Sequence, residues 1–377
     1  MKKIPMVDLK SQYENIKTEI DSAIQNVLNN TAYINGPDVK KFQANLEEYL
    51  NVKEVIPCAN GTDALQIAMM GLGLKPGDEV ITANFTFVAT VEVIALLGLK
   101  PILVDVYPDT FTIDIEAIEK AITPKTKAIV PVHLFGQAAD MEGIMKLADK
   151  YNLYVIEDTA QAIGADYTFA DGTIQKVGTI GHVGTTSFFP SKNLGCYGDG
   201  GAIFTNGEDL AKKLRSIVNH GMKVRYYHDN VGVNSRLDTL QAAILDVKLP
   251  HLDTYNKNRI EAADYYDKAF SVCDKITTPV RYKKSNHIFH QYTLVLDKSV
   301  DRDALQNHLI EKGVSSAVYY PVPLHMQVAY QDPRYKEGDF PVTEELCKTV
   351  MSLPIHTEMT DKDLKYITES VLEFFKK

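Results

Sequence analysis

Apolar residues recur every three or four positions over residues 8–30, at Ile16, Ile20, Ala23, Ile24 and Val27, and predict a helix. Gly36 and Pro37 end it, and a second helix is predicted with Phe42, Leu46, Tyr49 and Leu50 on one face. In VIPCANGTDALQIAMMGLGL a strand-like run turns at Asn60 and Gly61 into a helix expected from Thr62. From there short apolar runs alternate with helical patterns. DEVITA (78–83), KPILVDV, TKAIVPVHL and LYVIED read as strands, and TFVATVEVIALLG, IDIEAIEKAI and MEGIMKLADKYN as helices. EDLAKKLRSIVNHG and NSRLDTLQAAI add helices, and a long helix is predicted around 251–270. HQYTLVLD and VSSAVYYPVPL are expected strands, with DRDALQNHLIEKG and DKDLKYITESVLEFFKK as helices. The alternation predicts an α/β layered fold with a largely parallel sheet.

In such sheets ligands lie beyond the carboxyl ends of the strands. Asn84, Phe85, Phe87, His133 and Asp158 all follow or close predicted strands, which places them at one crevice. Two further features sharpen this. YVIEDTAQAIGA ends an apolar strand on Glu157 and Asp158. About thirty residues later, SFFPSKNLGCYGDGGAI sets Ser187, Ser191 and Lys192 in a turn rich in glycine (Gly195, Gly198, Gly200, Gly201). A turn lysine and a strand-end acid suit pyridoxal phosphate chemistry. The amine bonds the cofactor, and the carboxylate keeps the pyridine nitrogen protonated. The helix start at Gly61, Thr62 and Asp63 offers free N–H groups to a phosphate, although NGTD alone is also an ordinary helix cap.

Composition removes other classes. The 377 residues suit one large and one smaller domain, and 45% hydrophobic with 24% charged residues is ordinary for a globular protein. The net charge of −9, without a basic stripe, argues against nucleic acid. The longest apolar run, VEVIALLGL, is too short for a bilayer, so no membrane partner is expected. MKKIPMVDLKSQY lacks an apolar core, so no signal peptide is expected. Cys58, Cys196, Cys273 and Cys347 are scattered without metal-ligand spacing, which predicts free thiols, a cytoplasmic location and no metal.

The stretches PMVDLKSQY, NGTDAL, PGDEVIT, FTFVAT, PVHLFGQ, EDTAQAIGA, SFFPSKNLGCYGDGGAI, GVNSRLDTLQAAIL and YYPVPLH, in this order, resemble the DegT/DnrJ/EryC1/StrS sugar aminotransferases. CANGTDALQIA and SFFPSKNLGCYGDGGAIFTN are most similar to the enzymes that aminate C3 of UDP-2-acetamido-2-deoxy-3-oxo-glucuronate. The resemblance implies the pyridoxal-phosphate-dependent transferase fold type I. That is a three-layer α/β/α large domain over residues 1–250 and a smaller α+β domain over 251–377. It implies amino transfer from L-glutamate to a nucleotide-linked keto-sugar for surface polysaccharide such as lipopolysaccharide O-antigen, in a homodimer that shares its active sites. Carried onto this chain, Lys192 bonds the cofactor and moves protons, and Asp158 pairs with the ring nitrogen. Gln161 lies against the ring or its hydroxyl, Phe87 rather than Phe85 stacks on the ring, Gly61, Thr62 and Ser187 hold the phosphate, and Asp63 is a further cofactor contact. Asn234 reaches the phosphate from the other subunit. Arg236 meets a carboxylate of the uronic acid or of glutamate, and Tyr319, Tyr320 and His325 line the sugar site.

Bland readings stand beside these. Arg236 can pair with Asp238 or make a dimer contact, His133 can be a packing residue, and Cys196 a small packed thiol. Other functions are an aminotransferase acting on a dTDP- or UDP-linked 3- or 4-keto-6-deoxy sugar, or a related sugar dehydratase. Dehydratases carry histidine in place of the lysine, and Lys192 speaks against that. A nucleotide-dependent oxidoreductase would need a G-x-G-x-x-G fingerprint that is absent. A non-catalytic binding or regulatory protein would be favoured by loss of Lys192 or Asp158, and both are present.

Overall fold

The computed structural model describes residues 3–376. It opens with helices α1 (Leu9–Asn15), α2 (Lys17–Asn30) and α3 (Pro37–Leu50). The single helix expected over 8–30 is two, because the chain bends at Ile16 (φ −123°, ψ 25°) and buries that side chain beside Ile20 and Ile244. Next come β1 (Glu54–Cys58), α4 (Gly61–Leu72), β2 (Glu79–Ala83), α5 (Ala89–Leu96), β3 (Lys100–Val104), α6 (Ile115–Ala121), β4 (Thr126–Val130), α7 (Met141–Tyr151) and β5 (Tyr154–Asp158). The strand predicted through Leu134 stops at Val130, since Pro131 has no N–H to give the ladder. A hairpin, β6 (Asp166–Thr168) and β7 (Ile174–Lys176), precedes β8 (Val183–Ser187) and β9 (Gly201–Thr205).

Seven strands form one sheet in the order β1-β9-β8-β5-β4-β2-β3. Only β9 runs against its neighbours, so the expectation of a largely parallel α/β sheet holds. Both faces are apolar because successive residues point to opposite sides. Val80, Ala128, Val130, Ile156 and Ile203 pack beneath α4 and α5. Ile81, Ile129 and Val155 pack on the other face with Ile144 and Leu147 of α7.

The chain continues through α8 (Glu208–Ile217), a hairpin of β10 (Met222–Val224) and β11 (Tyr227–His228), α9 (Thr239–Lys248) and α10 (Leu252–Phe270). A three-stranded antiparallel sheet follows, with β12 (Ile276–Thr277), β13 (Tyr292–Leu296) and β14 (Val350–Leu353). It packs with α10, α11 (Arg302–Glu311) and α13 (Asp361–Phe374) around Tyr266, Phe270, Leu294, Leu309 and Ile367. Ile4 from the chain start joins this cluster. The strand predicted over VSSAVYYPVPL does not form. Val314 and Ala317 make only isolated bridges, to Ile4 and Ser352, and Pro321 and Pro323 cannot donate to a ladder. Helix α12 (Pro341–Thr349) and β14 lie in a stretch where the pattern gave no expectation. Among the described residues no helix is long and apolar enough to cross a membrane.

Arg259 on α10 ties the approach to β13 and the exit of β14 together within this unit. It is 2% exposed, and its Nη1 donates to the carbonyls of Phe289 (3.2 Å), His290 (3.2 Å) and Ile355 (2.9 Å). Arg259→Met leaves three buried carbonyls without this charged donor. The expected loss is roughly 3 kcal/mol or more of unfolding free energy, read by urea titration.

Candidate active site

Asp158 is the last residue of β5, and its backbone N–H donates to Pro131 (2.9 Å). Its carboxylate is buried and accepts from the Ala160 amide (3.0 Å) and the Thr90 hydroxyl (3.2 Å). Burial pushes its pKa up, against the Ala160 amide, the Lys192 charge and Thr90. The preceding Glu157 is wholly buried on the other side of the strand. It accepts from the amides of Gly178 (2.8 Å), Ile180 (2.8 Å) and Gly181 (2.6 Å) and from His133 Nε2 (3.0 Å). His133 Nδ1 accepts from Ala139 N (3.0 Å), so Nε2 carries the proton given to Glu157 and both ring nitrogens are spent. His133 therefore supports the end of β5, in line with the packing reading.

Lys192 lies in the loop between β8 and β9. The loop is closed by Phe188 N to Gly200 O (2.7 Å), Cys196 N to Phe188 O (2.8 Å) and Lys192 N to Phe189 O (2.8 Å). It is pinned from α9 by Lys248, whose buried ammonium donates to Gly195 O (2.6 Å), and from α10 by Asn256, which accepts from Asn193 Nδ2 (2.7 Å). A Cβ on Gly195 would meet Pro190 O at 2.3 Å, so close approach demands glycine there. None of the four loop glycines has positive φ. Burial lowers the Lys192 pKa to about 8, and the Asp158 charge opposes the shift. Lys192 and Asp158 thus act on one another from opposite sides of one crevice.

The start of α4 forms a second corner. Asn60 is the cap, and its Oδ1 accepts from Asp63 N (2.8 Å). The Asp63 amide is therefore spent, which corrects the expectation that it is free, and the helix begins at Gly61 rather than Thr62. The amides of Gly61 and Thr62 find no acceptor among the described residues. A Cβ on Gly61 would lie 2.7 Å from Ser187 Cβ, and one on Gly201 2.4 Å from the Asn60 carbonyl. The ends of β1, β8 and β9 so converge on the helix start, and two free N–H groups and the Ser187 hydroxyl form an anion cradle.

Between cradle and carboxylate, Gln161 Oε1 accepts from Phe135 N (2.7 Å) and its Nε2 donates to Tyr320 Oη (3.1 Å). Phe87 is 56% exposed with its ring 6.3 Å from that of Tyr320, whereas Phe85 is buried in the core. Phe87 is the phenylalanine of the pair that faces open space. His325 is buried against protein groups. Asn84 Nδ2 lies 2.8 Å from its Nδ1, its backbone N–H donates to Asn84 Oδ1 (3.0 Å), and Glu344 Oε1 is 3.3 Å from its Nε2. Asn234 is exposed and Arg236 half-buried. Neither side chain bonds any described residue, and the Asp238 ion pair considered for Arg236 does not form. Ser235 between them accepts from Ala59 N (3.1 Å), which fastens this segment beside the entrance to α4.

Lys192, Asp158, Gly61, Thr62, Ser187, Gln161, Phe87 and Tyr320 thus come together, while Asn234 and Arg236 do not touch them within one chain. Thr90, Asn60, Asn193, Lys248 and Asn256 carry site contacts that sequence reasoning missed, because an isolated polar residue inside a helix pattern gives no signal of its target. The arrangement pairs an amine half uncharged at about pH 8 with a carboxylate, and adds a cradle for a phosphate-sized anion.

A family model described as the DegT/DnrJ/EryC1/StrS aminotransferase family matches residues 14–372. The chain is 47% identical to a UDP-2-acetamido-2-deoxy-3-oxo-D-glucuronate aminotransferase from Pseudomonas aeruginosa, over 97% of this chain and 98% of that one. It is also 47% identical to a protein from Geobacillus stearothermophilus named pleiotropic regulatory protein, over 99% of both chains. Among solved structures, S. venezuelae DesV in complex with a ketimine intermediate superposes with a TM-score of 0.95. It is 38% identical, with 100% of both chains covered.

Two outcomes are expected from this geometry. Covalent capture of pyridoxal by Lys192, trapped with borohydride and located by peptide mass, should rise with pH and level off above about pH 8. Asp158→Asn removes the charge that holds the lysine pKa up, so its midpoint should fall to lower pH. Gly61→Ala should force Ser187 away from the α4 start. It should weaken pyridoxal phosphate retention at least tenfold, about 1.4 kcal/mol or more, by cofactor fluorescence.

Proposed function

The chain belongs to the DegT/DnrJ/EryC1/StrS aminotransferase family, and from that premise we propose that it moves the amino group of L-glutamate to C3 of a UDP-linked 2-acetamido-2-deoxy-3-oxo-glucuronate. That it is a nucleotide-sugar aminotransferase dependent on pyridoxal phosphate follows from the family. The observation that carries the reading is the half-buried Lys192 within electrostatic reach of the buried Asp158, with the unpaired amides of Gly61 and Thr62 nearby.

The residues fit the cofactor. Gly61, Thr62 and Ser187 would hold its phosphate, where the positive end of α4 favours an anion. Asp158 would face its ring nitrogen, and a cation there would bring the raised carboxyl pKa back down. Phe87 would cover one face of the ring, and Gln161, fixed by Phe135 and Tyr320, would border its edge. When bound, pyridoxal phosphate supplies the carbonyl that takes up the amino group and the electron sink that acidifies the adjacent carbon. Lys192 Nζ, half uncharged at about pH 8, is suited to remove the proton from the amine-bearing carbon of the donor. It then returns a proton to the sugar carbon in the second half-reaction, as ping-pong transfer requires.

The uronate assignment is supported by Arg236, a guanidinium without a protein partner, and by the Pseudomonas relative. A carboxylate at C6 of the sugar is its natural counter-ion. Because the Asn234 and Arg236 side chains bond no described residue of their own chain, we place them in the active site of a second copy, in a homodimer that makes surface polysaccharide precursors. The Geobacillus relative keeps a regulatory reading in view. The intact pair of Lys192 and Asp158 weighs against it.

A panel of keto-sugars tests the reading. The uronate should be aminated with kcat/KM at least 100-fold above an uncharged UDP-3-keto-sugar and a dTDP-linked 3- or 4-keto-6-deoxy sugar. Arg236→Gln should erase most of that preference, on the order of 2–3 kcal/mol. Preference for a dTDP sugar would overturn the substrate. Absence of amino transfer from any donor to any sugar would favour the regulatory reading.

A further inference from the structure

A line of buried polar groups runs past Lys192, from the approach to β13 to the turn after β5. His290 Nδ1 lies 3.2 Å from Asn193 Oδ1. Asn193 Nδ2 donates to Asn256 Oδ1 (2.7 Å) and to Ile288 O (3.4 Å). Asn256 Nδ2 donates in turn to Ile163 O (3.4 Å). His290, Asn193 and Asn256 are all buried. Two backbone carbonyls fix the sense of the line. Ile288 O and Ile163 O can only accept, so each asparagine turns its nitrogen to a carbonyl. Asn193 Oδ1 then faces His290, whose Nδ1 carries the proton. Burial and the charges of Lys192 and Arg259 hold that imidazole neutral, so the line needs no counter-ion.

The line joins the two segments that bear the reacting groups. Asn193 follows Lys192 directly, and Ile163 lies in the turn that follows Asp158 and carries Gln161. Asn256 stands between them on α10 and fits the turn closely. Gly164 has φ +88°, and a Cβ there would lie 2.9 Å from Asn256 Nδ2 and 2.6 Å from Tyr49 Oη. Three residues on, along the same side of α10, Arg259 holds the carbonyls of Phe289 and His290. Ile163, Leu194 and Leu252 belong to one apolar cluster about the bridge. Apolar contact alone tolerates a small slide of one segment over another. Directional hydrogen bonds in a dry interior allow one register.

We propose that Asn193 and Asn256 are positioning residues for the Lys192 amine, and that their bridge sets the Lys192 loop against the turn after Asp158 in the register that brings amine and carboxylate to one cofactor. The inference rests on Lys192 as the amine that takes pyridoxal phosphate. With the bridge cut, the loop is free to shift and water gains access to Lys192. Desolvation, the largest cause of its lowered pKa, then weakens. The titratable and charged groups about the loop are Asp158 on β5, Lys248 on α9, Arg259 on α10, and His290, Cys196 and Tyr320. Cutting the bridge removes none of them, so a change in the Lys192 titration reports its position.

Borohydride trapping of pyridoxal on the full chain, mapped to Lys192 across a range of pH, tests this in Asn193→Leu, Asn256→Leu and the double variant. Each single substitution should move the midpoint of capture up from about 8 by roughly one pH unit, toward the ordinary lysine value. The double variant should match the singles to within about a third of a pH unit, because both cut one bridge. In the holoenzyme, kcat for amino transfer should fall about tenfold or more, with KM for both substrates within about threefold of the wild type. Asn256→Ser leaves room for water in place of the amide, and it must show the same rise should Asn256→Leu fail to fold. A midpoint unmoved in variants whose melting temperature falls would make the bridge structural only and overturn the proposal. Shifts that add in the double variant would also overturn it. Capture mapped to another lysine in the wild type would sink the role of Lys192 together with the proposal, whereas an unmoved midpoint at Lys192 sinks the bridge alone.

Discussion

The burial of one amine beside one carboxylate governs the rest of this structure. Removing Lys192 from water lowers its pKa to about 8, and Asp158 opposes the shift without cancelling it. Neither group could be held there by a loose loop. Asp158 closes a central parallel strand whose end is fixed by the buried Glu157 and His133, with three amides donating to the Glu157 carboxylate. Lys192 rides on a loop tied by Lys248 from one helix and by Asn256 from another. The cost of desolvation is borne by packing and hydrogen bonds that do no chemistry themselves.

The single antiparallel strand has a specific consequence. Because β9 runs back between β1 and β8, its first residue, Gly201, pairs with both Cys58 and Ser187. The helix start at Gly61 then touches Ser187 at a distance that only a residue without Cβ allows. The cradle is thus built from three strand ends at one edge of the sheet. The Asp158 carboxylate and the loop that carries Lys192 lie at the same end of the sheet.

The polar residues around the crevice fall into two groups. Some satisfy one another: His133 with Glu157, His325 with Asn84, and Gln161 with Tyr320. Others keep unspent groups, namely the Gly61 and Thr62 amides, Arg236 and Gln291 Oε1. Folded proteins leave few polar groups unpaired, and the proposed function gives the Gly61 and Thr62 amides and Arg236 their partners. His325 spans both groups: its Nδ1 lies 2.8 Å from Asn84 Nδ2, while its buried Nε2, 3.3 Å from Glu344 Oε1, makes no hydrogen bond.

The sequence by itself determined the alternation of strands and helices, the strand-end acid, the turn lysine and the family. Each of these is local: a period of two or 3.6, an apolar run ended by Asp158, a glycine-rich turn around Lys192. The expected strand over VSSAVYYPVPL, ending in its proline-rich loop, is reduced to isolated bridges at Val314 and Ala317. Tertiary structure alone decided that Thr90 reaches Asp158, that Lys248 reaches the Gly195 carbonyl, and that Met6 and Val7 line a cavity beside Ser191. These contacts join residues dozens to hundreds of positions apart. Their partners are fixed by how sheet and helices pack, and no periodicity along the chain records that.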